Sequence, residues 1–299
     1  RFKCDWSSDV CSSDLVASNR QALAGMLLGH QGPTALESAG SRGRSPFAGL
    51  RYDPYVYELP PPFPGTQLGD VAGEPAFRVA VASGNPVEAT VPDVRAALGT
   101  FDDAIRWSAV HGSHGGNEFD LWFAAGSPDT VRVGVRAPSG RSSPHWVAVQ
   151  ALGEAAEFAL PAVIHTVLAT ACVPGLIGVD FEDVRTAATL GTRGVLALGA
   201  GDPDRAISGA YGQLAAGLSD REAGDGVVAL LSVLLIPREG GLGMRECRQM
   251  ITAACDPAAP WAGRLTDGYA IFAAPLIEGG EFVCAALAIT RPPGPAACL

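Results

Sequence analysis

The stretch that decides the fold is VPGLIGVDFEDVR, residues 173–185. It follows the apolar run PAVIHTVLATAC and packs three acids, Asp180, Glu182 and Asp183, into four positions. Pro174 disfavours helical geometry in the residue before it, and Gly175 permits a turn. One helix therefore ends near Val173. Asp180 stands where an N-cap belongs, and Asp183 falls in the first turn of the next helix. Free N–H groups and the helix dipole stabilise carboxylates at such a place. Two roles are open to the pair. They cap the helix, or they project outward to polarise a water or meet a metal-bound phosphate.

Outward from this loop, the chain downstream alternates strand and helix. FEDVRTAATL reads as helix, GVLALGAG as strand, and DPDRAISGAYGQLAAGL as helix. GVVALLSVLLI reads as strand and LGMRECRQMITAACD as helix, before the strands GYAIFAAPLI and EFVCAALAIT. This is the pattern of an α/β or α+β sheet covered by helices. EGGEF, between the last two strands, is a hairpin signal. Upstream, HWVAVQALGEAAEFAL and PAVIHTVLATACV are Ala-rich and predict a helix across 145–173, with a kink or break at Pro161. Residues 75–144 predict a small β-rich module or a degenerate N-terminal domain: AFRVAVAS, EFDLWFAAGS and DTVRVGVRAP read as strands, and PDVRAALGTFDDAIRWS as helix. Residues 16–74 are linker-like, and 292–299 form a tail. Residues 1–15, RFKCDWSSDVCSSDL, differ in composition and resemble a translated sequencing adapter.

The 299 residues are 47% hydrophobic and carry a net charge of −10, which favours a folded core and disfavours nucleic acid as the main partner. The longest apolar runs are read as too short to insert in a membrane. Lys3 is the only lysine, so neither a Walker-type phosphate loop nor a Schiff base is available beyond it. Seven scattered cysteines without a CxxC pair read as reduced thiols of a cytoplasmic protein. His111 and His114 have HxxH spacing but no evident third ligand, and so read as a surface loop. LGAGDP and EGGLG read as ordinary turns. His165 reads as a core histidine, and Trp107, Trp122, Trp146 and Trp261 as core or partly buried anchors.

PGLIGVDFEDVRT closely resembles the loop of FtsZ, the bacterial tubulin relative, in which PGL-(I/M)-N-(V/L)-D-F-A-D-V-(R/K)-T joins a central helix to the C-terminal domain. The likeness continues in order. It runs through LGAGDPDRA (198–206), VVALLSVLLI (227–236), LGMRECRQMITAACDPAAPWAGRLTD (242–267) and GEFVCAALAIT (280–290). Upstream, ALGEAAEFALPAVIHTVLATACVPGL (151–176) is similar to the central helix. The resemblance covers about 150–291.

It implies a long central helix over 145–173, then a mixed four-stranded sheet covered by helices over 174–291. It also implies a filament of like subunits in bacterial cell division. In such a filament Asp180 and Asp183 would act in trans on GTP and Mg held by a neighbour, with Pro174, Gly175, Gly178 and Arg185 supporting the loop. The departures are Gly178 for the family Asn, Pro161 within the helix, and Pro237 near the missing N-I-T. The Gly-rich phosphate loop is absent; DVAGEPAFRVAVASGNPVEAT (70–90) stands in its expected region. These departures fit two other readings: a non-catalytic FtsZ-like assembly or regulatory module, or a chimeric fragment with an unrelated β-rich N-terminal half.

Overall fold

In the last strand, alternate residues turn to opposite sides. Val283, Ala285, Leu287 and Ile289 enter one apolar core, and Cys284, Ala286 and Ala288 another. A strand buried on both faces must lie inside a sheet that has helices on either side. In the computed structural model of the chain it does. The structure describes residues 45–53, 77–84, 86–111, 118–127, 129–137, 143–177, 179–219, 226–240, 243–262, 265 and 269–291. All but Ser45 belong to one compact unit, Pro46–Leu299. The adapter-like segment and the tail lie outside the described residues.

The strands are β1 (Phe77–Ala82), β2 (Ile105–Val110), β3 (Leu121–Ala125), β4 (Thr130–Val135), β5 (His145–Ala151), β6 (Arg193–Gly201), β7 (Gly226–Pro237), β8 (Tyr269–Ala273), β9 (Leu276–Ile277) and β10 (Phe282–Arg291). The helices are α1 (Pro86–Leu98), α2 (Ala159–Cys172), α3 (Phe181–Thr189), α4 (Pro203–Ser219) and α5 (Met244–Ala254). One mixed sheet runs β2-β1-β3-β4-β5-β6-β10-β7-β8, with β9 extending the pairing of β7. β4 and β10 run against their neighbours, and the other pairings are parallel. Helices α1, α2 and α3 share the first core, while α4, α5 and Trp261 share the second. The fold is therefore mixed α/β. Its last portion, β6-β10-β7-β8, is the expected four-stranded sheet, and β5 joins it to the strands of 75–144 by a parallel ladder.

Four local expectations are corrected. Residues 145–151 form β5, not the start of the central helix. Val147, Val149 and Ala151 are buried and alternate with half-exposed or exposed neighbours, so the period of two overrides the helical propensity of alanine. A 3₁₀ segment, Gly153–Phe158, then leads into α2. Pro161 breaks nothing, because it occupies the first helical turn, where no intrahelical N–H bond is lost. The helix read over 92–108 stops at Leu98, and Ile105–Val110 is the edge strand β2. EGGEF does not close a hairpin: β9 pairs with β7, while β10 crosses over to lie between β6 and β7. Two apolar faces on β10 demand that central place. β7 accommodates it with a bulge at Val228, where the β10 partner steps from Ala229 to Val227 and the buried face changes sides.

The helical stretch Ala155–Cys172 has the length and mean hydropathy, 1.5, of a membrane span. Two-thirds of it is buried inside the fold. Across it lies a strap, residues 46–53, in a region that reads as linker. Phe47 stacks on His165 at 4.8 Å, and the Tyr52 hydroxyl meets His165 Nδ1 at 3.2 Å. Tyr52 N donates to Ala97 O and Asp53 N to Leu276 O, each at 2.9 Å. His165 is thus the core histidine that the sequence suggests. Burial holds its pKa down at about 4.

Candidate functional site

The acidic loop is positioned by apolar anchors and one glycine. α2 ends at Cys172, and Val173 turns to extended geometry ahead of Pro174. Gly175 forms a β-bridge with Pro275, and Leu176 N donates to Ala274 O at 2.9 Å. A Cβ at position 175 would stand 2.4 Å from Ala274 O, so only glycine allows this approach. Val173, Val179 and Phe181 pack on the first core, and Leu176 and Ile177 on the second. The segment is pinned on both sides of the sheet before it reaches Asp180. Gly178 lies outside the described residues.

Asp180 is the N-cap of α3, and its Oδ1 accepts from Asp183 N at 2.9 Å. The residue is nevertheless exposed, and Asp183, in the first turn, is half-buried. Glu182 pairs with Arg185, one turn along the same helix, and Arg185 Nε is buried without a hydrogen-bond partner. Phe181 packs edge-on against Phe77 with ring centroids 4.7 Å apart, which sets the acids beside the amino end of β1.

The carboxyl end of the same strand carries a second feature, one the motif reading passed over. α1 leads from β1 to β2 on one side, and β3 flanks β1 on the other. That is a topological switch point, the place where open α/β sheets take ligands. The turn is Ser83–Gly84, with Gly84 at φ +72°. Glu88 reaches back to it: Gly84 N donates to Glu88 Oε2 at 2.8 Å and Ser83 Oγ to the same oxygen at 3.4 Å. A carboxylate occupies the amide that a nucleotide phosphate would use. Among the described residues of the turn, the Gly84 amide is taken by Glu88 and not left open. The signal was the N-P-V-E spacing at 85–88, a capping-box pattern.

Among the described residues, no group of three or more His, Cys, Asp or Glu is placed to hold a metal ion. His111 is exposed, and His114 lies outside the described residues. Cys172, Cys247, Cys255 and Cys284, the cysteines among the described residues, form no disulfide with one another. Burial pushes Cys247 up to about 11 and Cys284 up to about 12, so neither is a ready nucleophile. LGAGDP is a plain strand-to-helix turn in which Asp202 Oδ1 accepts from Arg205 N at 2.9 Å. Trp122 and Trp261 are core residues, and Trp107 and Trp146 are half-buried.

No protein-family model matches the chain, and neither does any curated protein. Solved structures do. An empty FtsZ dimer from M. jannaschii is 24% identical, with a TM-score of 0.36 over 46% of this chain and 38% of the other. A point mutant of the same FtsZ gives the same identity and TM-score over 39% of its length. A GTPγS-form protofilament of TubZ from Bacillus thuringiensis serovar israelensis is 12% identical, with a TM-score of 0.35 over 46% of this chain and 36% of the other. The chain spans less than two-fifths of the length of each.

Proposed function

We propose that this chain is a tubulin/FtsZ-type assembly subunit that presents the α3 entrance, Asp180 and Asp183, to a neighbouring molecule. The observation that carries the reading is the separation of the two ends of β1. The acids sit at its amino end through Phe181 and Phe77, and the turn at the switch point follows its carboxyl end. Six residues at about 3.3 Å each put about 20 Å between them. The acids of one molecule cannot serve the turn of the same molecule, so a joint site needs two. Glu88 closes this chain's own turn, so any GTP, with its Mg, belongs to the neighbour. The chain supplies carboxylates and binding surface. Its setting is the cytoplasm, in a bacterial division filament or a related one.

The test mixes this chain with a nucleotide-binding FtsZ and measures GTP turnover. Wild type should raise turnover above that of the partner alone. Asp180→Asn retains a capping side chain and removes the charge, and should bring turnover back to the partner's own level. Turnover equal with wild type and variant would refute the in-trans role. One observation favours the non-catalytic module: Asp180 Oδ1 is already engaged by the Asp183 amide. On that reading the mixture assembles while turnover stays flat.

A further inference from the structure

The sheet ends differently at its two edges. Past β8 the chain runs into Ala274 and Pro275, which hold the acidic loop at Leu176 and Gly175. At the opposite edge lies β2, with β1 on one side and, among the described residues, no strand on the other. Ser83 N donates to Val110 O at 2.8 Å, so the backbone groups of Val110, Ser108 and Arg106 face β1. Those of Trp107 and Ala109 therefore point away from the sheet. Ala109 is exposed, and among the described residues no backbone group bonds to it on that side. Ile105 N also points outward, but Asp102 O already holds it. Proteins blunt such edges with proline, bulges or charges; β2, IRWSAV, has Arg106 alone, and that side chain is exposed. Trp107 is fixed in place beforehand. Its ring is half-buried, its Nε1 donates to Asp102 Oδ1 at 2.6 Å, and Arg95 holds the same carboxylate at 2.8 Å.

A strand laid on this edge must be extended and must match the outward groups of Trp107 and Ala109. A second β2, running antiparallel, does so. With Trp107 opposite Ala109 of the second copy, each outward N–H of the two residues meets an outward C=O. The side chains agree with that register. The large Trp107 lies beside the small Ala109, and Arg106 lies opposite Val110. Ser108 faces Ser108 on the twofold axis, a hydroxyl pair of the kind that supports cross-strand contacts. Neighbouring registers fail. One sets Arg106 opposite Arg106, like charge on like. Another sets Trp107 opposite itself and asks Ala109 O to accept from Ile105 N, which is taken. We infer that β2 is the contact strand of a twofold dimer, in which the sheets of two copies of this chain join edge to edge. The contact is isologous and closes on itself, so it ends at two copies. It uses neither nucleotide nor the acidic loop, so its failure and that of the in-trans reading are separable.

Sedimentation velocity without nucleotide tests it. A two-strand contact is small, so wild type should pass from monomer to dimer at about 1–100 µM and form nothing larger. Ala109→Pro removes an outward N–H and spares the ladder to β1; it should weaken dimerisation at least about tenfold. Far-UV circular dichroism and the melting temperature check its fold. If it is unfolded, Ser108→Lys, which sets two charges on the axis, takes its place. Disulfide trapping reads the register. In the dimer the two Ser108 Cα atoms stand about 4.5 Å apart and the two Arg106 Cα atoms about 14 Å. Under oxidation Ser108→Cys should therefore give covalent dimer above the wild-type level, and Arg106→Cys should not. Wild type that stays monomeric up to about 100 µM would overturn the inference, as would species that keep growing with concentration. So would a dimer indifferent to the substitution on the edge, or equal trapping through positions 106 and 108. So, too, would a monomeric chain that instead adds a fluorescein-labelled extended peptide and loses it in Ala109→Pro.

Discussion

Taking the pH from 7 to 4 should weaken the fold through one buried imidazole. His165 is 3% exposed, stacked on Phe47 and bonded to Tyr52. Burial lowers its pKa from 6.5 to about 4. In the unfolded chain the ring takes its proton near pH 6.5; in the folded chain it resists until about pH 4. Between those values the unfolded state binds more protons, so stability falls as pH falls. At 1.36 kcal/mol per pH unit the loss amounts to about 3 kcal/mol, complete below pH 4. That is a large part of the 5–15 kcal/mol on which a domain typically rests. The strap over α2 should release first. The assay is urea unfolding by fluorescence at several pH values, for wild type and for His165→Gln, which keeps an acceptor and cannot titrate. Carboxylates contribute equally to both proteins, so the difference between the two curves isolates the ring. The wild-type curve should drop more steeply by about 3 kcal/mol between pH 7 and 4. Parallel curves, within about 0.5 kcal/mol, would refute the reasoning.

Other changes read other parts of the structure. Gly175→Ala drives a methyl to 2.4 Å from Ala274 O and should cost about 1–3 kcal/mol in chemical denaturation, with the bridge to Pro275 lost. Trp261→Ala empties a site 1% exposed and removes the 2.8 Å bond from its indole to Ala254 O; a loss of about 3–5 kcal/mol should appear in the same measurement. Wild type should show no heat of GTP binding by calorimetry, because Glu88 fills the turn after β1; Glu88→Ala should lower stability by about 1 kcal/mol.

The parts of the fold that sequence makes plain are those with short-range causes. Asp180 and Asp183 stand three apart after a proline and a glycine, and the structure has the cap where that spacing puts it. The strand and helix alternation from β6 to β10 follows from runs whose period leaves no competing choice. β5 is hidden in the sequence because its alanines speak for a helix, while the buried positions Val147, Val149 and Ala151 obtain their cause only from the sheet. The strap was unreadable for a similar reason: Tyr52 and His165 are 113 positions apart, and nothing near either one announces the other. The position of β10 hangs on its two apolar faces, which local turn chemistry at Gly279 and Gly280 does not report. Glu88 was legible in principle, through a capping pattern that a search for glycine-rich loops passes over.

The crossover of β10 carries a consequence for biosynthesis. In the sheet β6 and β7 are joined by a strand made after both, so the ribosome exposes their greasy flanks until residue 291 has emerged. Closure of this half of the sheet is then an insertion event, with the latest-made piece sliding between two waiting ones. Holdase chaperones that shield nascent chains should grip this interval, and stalling just before residue 282 should leave β6 and β7 unzipped.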